Sequence, residues 1–549
     1  MIRAEAFRSL ATPFDVLIIG GGATGLGLAL DSVTRGFRTA VVEAGDFAQA
    51  TSSRSTKLVH GGVRYLATGQ IHLVREALQE RAVMLRNAPH LVRPLPTILP
   101  AQRLWELPWF GAGLTLYDAL SGASSMGPTR LLSRNAVLDR IPGANPQSLT
   151  GGVLYHDGQF NDARYALMLA VSAADHGATV LNYTRCERLL YSAASPPRVF
   201  GALIRDTESA TAYEIQASVV INAAGIFSDE LRAQDEPARP PLLRVSRGTH
   251  IVVAARFLGG NTALMIPKTT DGRVVFALPW EGVTVIGTTD LPASSPAKEP
   301  GFEQSEVDYL LAHIAPYLSQ PIAQHDILSV FSGLRPLVTG SSKTSSRLSR
   351  EHHIDRSPSG LINIAGGKWT TYRRMAEDTL NFAMARNMLP RRACVTRELA
   401  LHGSPGPHPA TTSSSIHEYG ADAAALQELI AAQPALADRV DPELELTGAM
   451  VVHAVQHEFA RTVEDVLSRR SRALLTNARA ARRAAPAVAN LMQQVLGTDP
   501  TWGASQVAAF RTLAQDFYLP KTSLTEPLPR QYRHIAEGEA KSRRGRREL

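Results

Sequence analysis

Gly20, Gly22 and Gly25 form a G-x-G-x-x-G pattern directly after the apolar run Phe14–Ile19. Such a pattern suits phosphate chemistry. Gly20 permits the tight turn that ends a strand, Gly22 lets a pyrophosphate reach the main chain, and Gly25 lets a helix pack closely on the strand. The helix that follows would offer free N–H groups and a positive dipole end to the phosphates. Glu43 closes a second apolar run, 18 residues after Gly25. A carboxylate there can accept from a ribose 2′-hydroxyl and repels a 2′-phosphate, so NADP is disfavoured. The pattern indicates dinucleotide binding and by itself does not separate FAD from NAD.

The elements that must hold these residues are legible in the hydropathy. Phe14–Ile19 reads as a fully buried parallel strand, followed by a helix over about residues 23–35 and a second buried strand over 39–43. In 70–87, Ile71, Val74, Leu78, Ala82 and Leu85 recur at helical spacing. Further strands are expected at 199–204, 218–222, 249–253, 274–278, Val283–Gly287 and 361–364. Residues 401–415, rich in Pro, Ser and Thr, read as a linker. Beyond it the chain is Ala-rich and helical. Val451, Val455, Phe459, Val463 and Val466 predict one core-facing helix over 451–467. His457-Glu458 begins no H-E-x-x-H zinc motif, because position 461 is Arg, so no metal is expected.

Composition bounds the class. The 549 residues are 44% hydrophobic and 19% charged, as in a soluble globular protein of roughly three or four domains. Two cysteines, Cys186 and Cys394, lie far apart, which excludes a disulfide framework and fits a reducing compartment. No apolar run is long enough to span a bilayer, and the first residues lack a signal-peptide pattern. The net charge of +7 is compatible with an anionic partner and selects none.

Several longer segments carry a resemblance. Residues 51–66, TSSRSTKLVHGGVRYL, resemble the flavin-side loop of FAD-dependent glycerol-3-phosphate dehydrogenases of the respiratory, aerobic type. Residues 218–225, SVVINAAG, are similar to the strand and turn that close over the cofactor in that family, and 360–373, GLINIAGGKWTTYR, to its last strand and flavin-facing helix start. The similarity continues through Arg247-Gly248-Thr249-His250, Ile286-Gly287-Thr288-Thr289-Asp290, Gly333-Leu334-Arg335-Pro336-Leu337, Ser349-Arg350-Glu351-His352 and 457–467. It runs in order from about residue 14 to 497. Trp369 and Ala67 depart from the family's commoner residues, and no long insertion of the oxidase branch is present.

The resemblance implies FAD as cofactor. It would be held by Gly20, Gly22, Gly25 and Glu43, by Thr51, Ser52, Ser53, Ser55 and Lys57, by His60, Gly61 and Gly62, by Asn222, Ala224 and Gly225, and by Gly366, Gly367, Lys368 and Trp369. It also implies oxidation of sn-glycerol 3-phosphate to dihydroxyacetone phosphate by hydride transfer to FAD, with quinone as acceptor. The substrate would meet Arg64, Tyr65, His250, Arg335, Arg350, Lys368 and Thr370. These types suit a dianion, since Arg binds phosphate oxygens as a fork and Lys as a point charge. Arg335 lies between Leu334 and Pro336, an unusual place for a merely solvated charge. His250 and Arg335 are the catalytic candidates. Imidazole can take the hydroxyl proton near neutral pH, although a purely hydrogen-bonding or structural His250 fits the sequence equally well.

The architecture expected is α/β. A Rossmann-like FAD domain is assembled from residues 14–88, 150–240 and 340–400, with an antiparallel-sheet substrate domain inserted at 89–149 and 241–339. A linker at 401–415, a helical domain at 416–520 and a basic tail at 521–549 complete the chain, whose residues 541–547 carry five basic groups. The resemblance further implies peripheral attachment to the cytoplasmic membrane from the cytoplasmic side, with a homodimer as one option. Leu104-Trp105-Glu106-Leu107-Pro108-Trp109-Phe110 suits a lipid boundary, and equally suits packing inside the substrate domain. Two other readings are an oxygen-using flavin oxidase of another small substrate and a nucleic-acid-binding flavoprotein. No basic–aromatic module supports the latter, and no nucleic-acid partner is expected.

Overall fold

The structure is a computed structural model that describes residues 3–66, 69–267, 269–339, 352–404 and 415–519. Phe14–Ile19 runs parallel to Thr39–Val42 on one side and to the second half of Ala212–Asn222 on the other. Thr179–Leu181 and Ile362–Gly366 extend this parallel sheet, and His352–Arg356 is added antiparallel at its edge. Val16 and Ile18 face the helices Ala23–Thr34, Asp162–Asp175 and Tyr372–Ala385. Leu17 and Ile19 face an antiparallel meander of Thr184–Tyr191, Val199–Asp206 and the start of Ala212–Asn222. A strand covered on both faces has no solvent side, which is why FDVLII is an unbroken apolar run.

A second, ten-stranded mixed sheet is built around Leu243–Ala254, which pairs antiparallel with Ile327–Val338 along most of its length. Alternation along Leu243–Ala254 divides its core. Ile251 and Val253 pack with the helix Gln304–Ile314, while Val252 joins the apolar cluster of the C-terminal helices. Gly151–Phe160 and Leu58–Val59 also belong to this sheet. The boundary expected at residue 150 is therefore displaced, because Gly151–Phe160 pairs with Val92–Ala101 over ten residues before the chain returns to the dinucleotide sheet.

The helical C-terminal part has no separate core. Its Val451, Val466, Leu474, Ala481 and Phe510 share one buried cluster with Leu278, Trp280, Val285 and Phe331 of the large sheet. The single helix expected over 451–467 is two pieces. The helix Gly448–His457 ends, Phe459 adopts φ +58°, and a wider helical turn resumes at Asp465–Arg470. The break accompanies a buried ion pair between Glu458 and Arg164 at 2.8 Å, and apolar spacing alone does not register it. The linker also starts later than expected: Leu401 is buried and its N–H donates to Asn87 O. The basic tail lies outside the described residues.

Among the described residues no helix is long and apolar enough to cross a membrane. The Trp-rich segment enters the helix Glu106–Ser121. Leu114 and Tyr117 face the interior, but Leu104, Trp105 and Trp109 are 74%, 61% and 72% exposed. Leu116, Leu131 and Ile71 are also exposed.

Candidate functional site

The three glycines occupy three different settings. Gly20 has φ +116°, and a Cβ there would lie 2.5 Å from Ala223 O. Gly22 has ordinary backbone angles, φ −83°, and a Cβ would meet only Ser52 Oγ at 3.0 Å. Gly25 sits where a Cβ would overlap Gly20 O, so it serves packing of helix on strand. Gly20 and Gly22 line a groove of about 160 Å³ together with Glu43, Thr51, Ser52 and Ala224. Ser52 Oγ accepts from Ala23 N at 2.9 Å, the Leu26 N–H donates to Gly22 O, and the Thr24 and Gly25 N–H groups between them are too near the helix start for an intrahelical acceptor. Glu43 accepts from Gly21 N at 2.7 Å and Gly45 N at 2.8 Å. Burial pushes its carboxyl above the usual carboxylate range.

Gly225, Gly366 and Gly367 line the opposite wall of the groove. Asn222 does not reach it: its amide donates to Ser228 O and Asn363 Oδ1, and its Oδ1 accepts from Ala224 N, so it shapes the turn from behind. The groove opens into a larger cavity of about 300 Å³. Thr51, Pro336, Gly367, Lys368 and Trp369 line both spaces and mark the junction. Trp369 is fixed there by an Nε1–H bond to Ser52 O at 2.9 Å and by edge contacts with Phe160, Tyr165 and Tyr372.

The larger cavity collects His250, Arg335, Lys368 and Thr370, with Ser55, His60 and Gly62 on its wall. His250 and Arg335 come from the two long paired strands, where His250 stands opposite Phe331 and Ser246 opposite Arg335. Gly248 and Gly287 lack side chains where any Cβ would overlap the Arg335 guanidinium and the His250 ring. Arg335 donates from Nη1 to Asp290 at 3.3 Å and from Nη2 to Thr288 Oγ1 and Thr289 O. Arg64 and Tyr65 fall on the short helix Val63–Leu66, whose Val63 lines the cavity; their side chains, and all of Arg350, lie outside the described residues. Gly61 is behind the wall, its N–H donating to the Tyr117 hydroxyl at 2.8 Å.

Like Gly25, Gly61 and Asn222, Ser53 and Lys57 were expected at the cofactor and line neither space. The Lys57 side chain is fully buried and donates to Asp162 Oδ2 at 2.7 Å and Ser53 O at 2.9 Å. Ser53 Oγ donates to Ala50 O. Their position in a family-like loop signalled a cofactor contact, but the left-handed backbone of Lys57, φ +65°, turns its side chain into the core.

His250 is buried and lies nearly parallel to Phe331, with ring centres 4.7 Å apart. Its Nε2 is 3.0 Å from Thr56 Oγ1, and Nδ1 has no hydrogen-bond partner. Burial first, then the Lys57 and Arg335 charges, hold its pKa well below that of free imidazole. The ring is therefore neutral at pH 7. Sequence reasoning missed Arg273, Met265 and Phe276 in this cavity and Gln49 and Lys298 in the groove. Arg54 and Thr56 of the 51–66 segment, and Thr288 and Asp290 of the Ile286–Asp290 motif, also line the cavity and had a signal in those motifs. The amide oxygen of Gln49 is buried without a partner.

Residues 15–373 match the family described as FAD dependent oxidoreductase, and 361–502 match the C-terminal domain of alpha-glycerophosphate oxidase. A probable mitochondrial glycerol-3-phosphate dehydrogenase of Caenorhabditis elegans is 40% identical over 532 residues, covering 91% of this chain and 73% of the relative. The human mitochondrial glycerol-3-phosphate dehydrogenase is 39% identical over 517 residues, covering 88% and 71%. The solved glycerol-3-phosphate dehydrogenase of Bacillus halodurans, complexed with FAD, superposes with a TM-score of 0.76 at 28% identity and covers 94% of this chain and 97% of that one.

Proposed function

The chain belongs to the family of FAD-dependent glycerol-3-phosphate dehydrogenases, and from that premise we propose that it oxidises sn-glycerol 3-phosphate at carbon 2 and passes the electrons to a membrane quinone. FAD is its cofactor, and the groove suits it: Gly20 and Gly22 leave main chain bare for the pyrophosphate, Glu43 suits a ribose hydroxyl, and Gln49 offers an unpartnered acceptor. The observation that carries the reading is the junction at Thr51, Lys368 and Trp369, where this groove meets a cavity lined by Arg335 and His250.

Bound in the groove, FAD would supply the two-electron acceptor for the carbon 2 hydride. The chain's own residues bind and orient. Arg335 and Lys368, with Arg64 and Arg350 from the same motif set, hold the phosphate dianion. With Nε2–H donating to Thr56, Nδ1 of His250 is an acceptor and takes the hydroxyl proton. Lys368 and the start of the helix Tyr372–Ala385 place positive potential at the junction, where negative charge develops.

The exposed Leu104, Trp105 and Trp109 support peripheral attachment to the cytoplasmic membrane, because Trp favours the lipid–water boundary. Arg103 beside them suits anionic headgroups. The test is substrate-dependent electron flow in vesicles containing quinone. Quinone reduction with sn-glycerol 3-phosphate and none with glycerol is expected. Stoichiometric hydrogen peroxide with quinone left oxidised would favour an oxidase instead.

A further inference from the structure

Behind the wall of the larger cavity lies a cluster that no substrate or cofactor contact explains. Lys57 and Arg472 both adopt left-handed backbone, φ +65° and +63°, and both aim at the same two acceptors. Lys57 Nζ donates to Asp162 Oδ2 and Ser53 O, at 2.7 and 2.9 Å. Arg472 Nη2 donates to Asp162 Oδ1 and Ser53 O, at 3.0 and 2.7 Å. All three charged side chains are 0–1% exposed. Asp162 Oδ2 also accepts from Ser55 N and Oγ. Trp280 and Phe331 close the cluster, each ring centre 5.2 Å from Lys57 Nζ, and Arg472 lies 5.6 Å from that of Trp280.

Three features make this more than a structural ion pair. Buried pairs are costly, and hydrophobic residues of similar volume often serve stability as well or better. The cluster clamps residues 53–57, and the next contact outward is Thr56 Oγ1 to His250 Nε2 at 3.0 Å. Phe331 is shared, touching Lys57 on one side and stacking on His250. Arg472 itself comes from the C-terminal helical part, where it precedes the helix Ala473–Thr476.

We propose that Arg472 is a positioning residue of the redox site, through which the C-terminal part, by way of Asp162 and the 53–57 segment, sets the orientation and charge environment of His250. This rests on the proton-accepting role given to His250 above. The charged groups that bear on His250 are Lys57 and Arg335, which favour its neutral form, and Asp162, which opposes them; Arg335 is itself paired with Asp290. Arg472 holds part of the Asp162 charge. Without it, Asp162 bears more strongly on His250 and raises its pKa.

The test uses the full-length, FAD-loaded protein, with reduction of the wild-type flavin by sn-glycerol 3-phosphate read first. A flavin that the substrate leaves oxidised would contradict the functional reading alone. The positioning claim would then be judged by the NMR titration of His250, whose pKa rises in Arg472→Met if the claim holds and is unchanged if it is wrong. With an active wild type, Arg472→Met retains flavin and loses kcat by about tenfold or more. The acidic limb of its kcat/KM profile moves up by about one pH unit, and Arg472→Lys restores most of both. Thr56→Val removes the link to His250 without touching a charge. It lowers kcat comparably, and the Thr56→Val/Arg472→Met double variant is no slower than about the slower single variant, because both act through one link. Wild-type kcat with an unmoved limb in Arg472→Met overturns the proposal, as do fully additive losses in the double variant. Should Arg472→Met fail to fold, Arg472→Gln, which keeps a hydrogen-bond donor but not the charge beside Asp162, is read in its place by the same pH limb and additivity criteria.

Discussion

Replacing Gly22 with Ala should separate cofactor binding from folding. Gly22 has φ −83° and ψ −179°, angles open to any residue, so an added methyl causes no backbone strain. Its only close neighbour is Ser52 Oγ at 3.0 Å, which need yield only a few tenths of an ångström and can do so while still accepting from Ala23 N. The apoprotein should therefore melt within about 0.5 kcal/mol of wild type, as expected of a substitution that breaks no packing. The methyl projects into the groove where the pyrophosphate must touch main-chain N–H groups. Hydrogen bonds to charged groups are worth about 1.5–3 kcal/mol each. Losing two weakens FAD binding by about 3–6 kcal/mol, roughly 10²- to 10⁴-fold in Kd. The assay is quenching of flavin fluorescence on titrating apoprotein into FAD, beside calorimetric melting of the same apoprotein. Gly25→Ala is the contrast, since its methyl would overlap Gly20 O and should destabilise the apoprotein itself. A Gly22→Ala protein that binds FAD within threefold of wild type would refute the cradle. One that unfolds like Gly25→Ala would show the position to be structural.

Arg335→Leu should retain flavin and lose kcat/KM by about 30-fold or more, the lower end of about 2–5 kcal/mol for removing one partner of a buried charge contact; unchanged steady-state kinetics would remove Arg335 from the substrate site. Trp105→Glu/Trp109→Glu should weaken sedimentation with anionic vesicles by about 30-fold or more, because two large apolar side chains withdrawn from lipid are worth about 2–4 kcal/mol, and equal binding by the variant would move the membrane contact elsewhere. His402 donates to Asp422 and Asp175 at 3.0 and 2.6 Å, and chiefly the Asp422 bond raises its pKa to about 9. Its folded pKa lies above its unfolded one, so its contribution to stability is complete below about pH 6.5 and is lost as pH rises through about 9. The melting-temperature gap between wild type and His402→Gln should narrow over that window, and a gap constant with pH would contradict the assignment.

Much of the cofactor side was legible because its signals are local. The G-x-G-x-x-G pattern, the unbroken apolar strand and the acidic strand end each report a short-range demand, and the observed helix Ala23–Thr34 and strand Thr39–Val42 lie where they were expected. His250, Arg335 and the Lys368–Thr370 segment lie far apart in sequence and were joined only through family-like motifs, yet they line one cavity. What escaped was orientation. Ser53 and Lys57 sit in the right loop and point the wrong way, because a left-handed residue in a loop leaves no periodic trace. The helix break at Phe459 escaped for a related reason: apolar spacing continues across it, and the Glu458 partner beside it, Arg164, is distant in sequence. Whether Trp105 and Trp109 face inward was undecidable from composition, since a lipid-facing helix and a core helix draw on the same residue types. Arg273 and Lys298 reach the cavities from loops whose course only the tertiary fold defines.

The most direct measurement is the visible spectrum of the purified holoprotein on anaerobic addition of sn-glycerol 3-phosphate. The account predicts that the oxidised flavin bands bleach, with dihydroxyacetone phosphate formed in equal amount to the flavin reduced. Bands that persist at saturating substrate, in a protein whose flavin dithionite readily reduces, would contradict it.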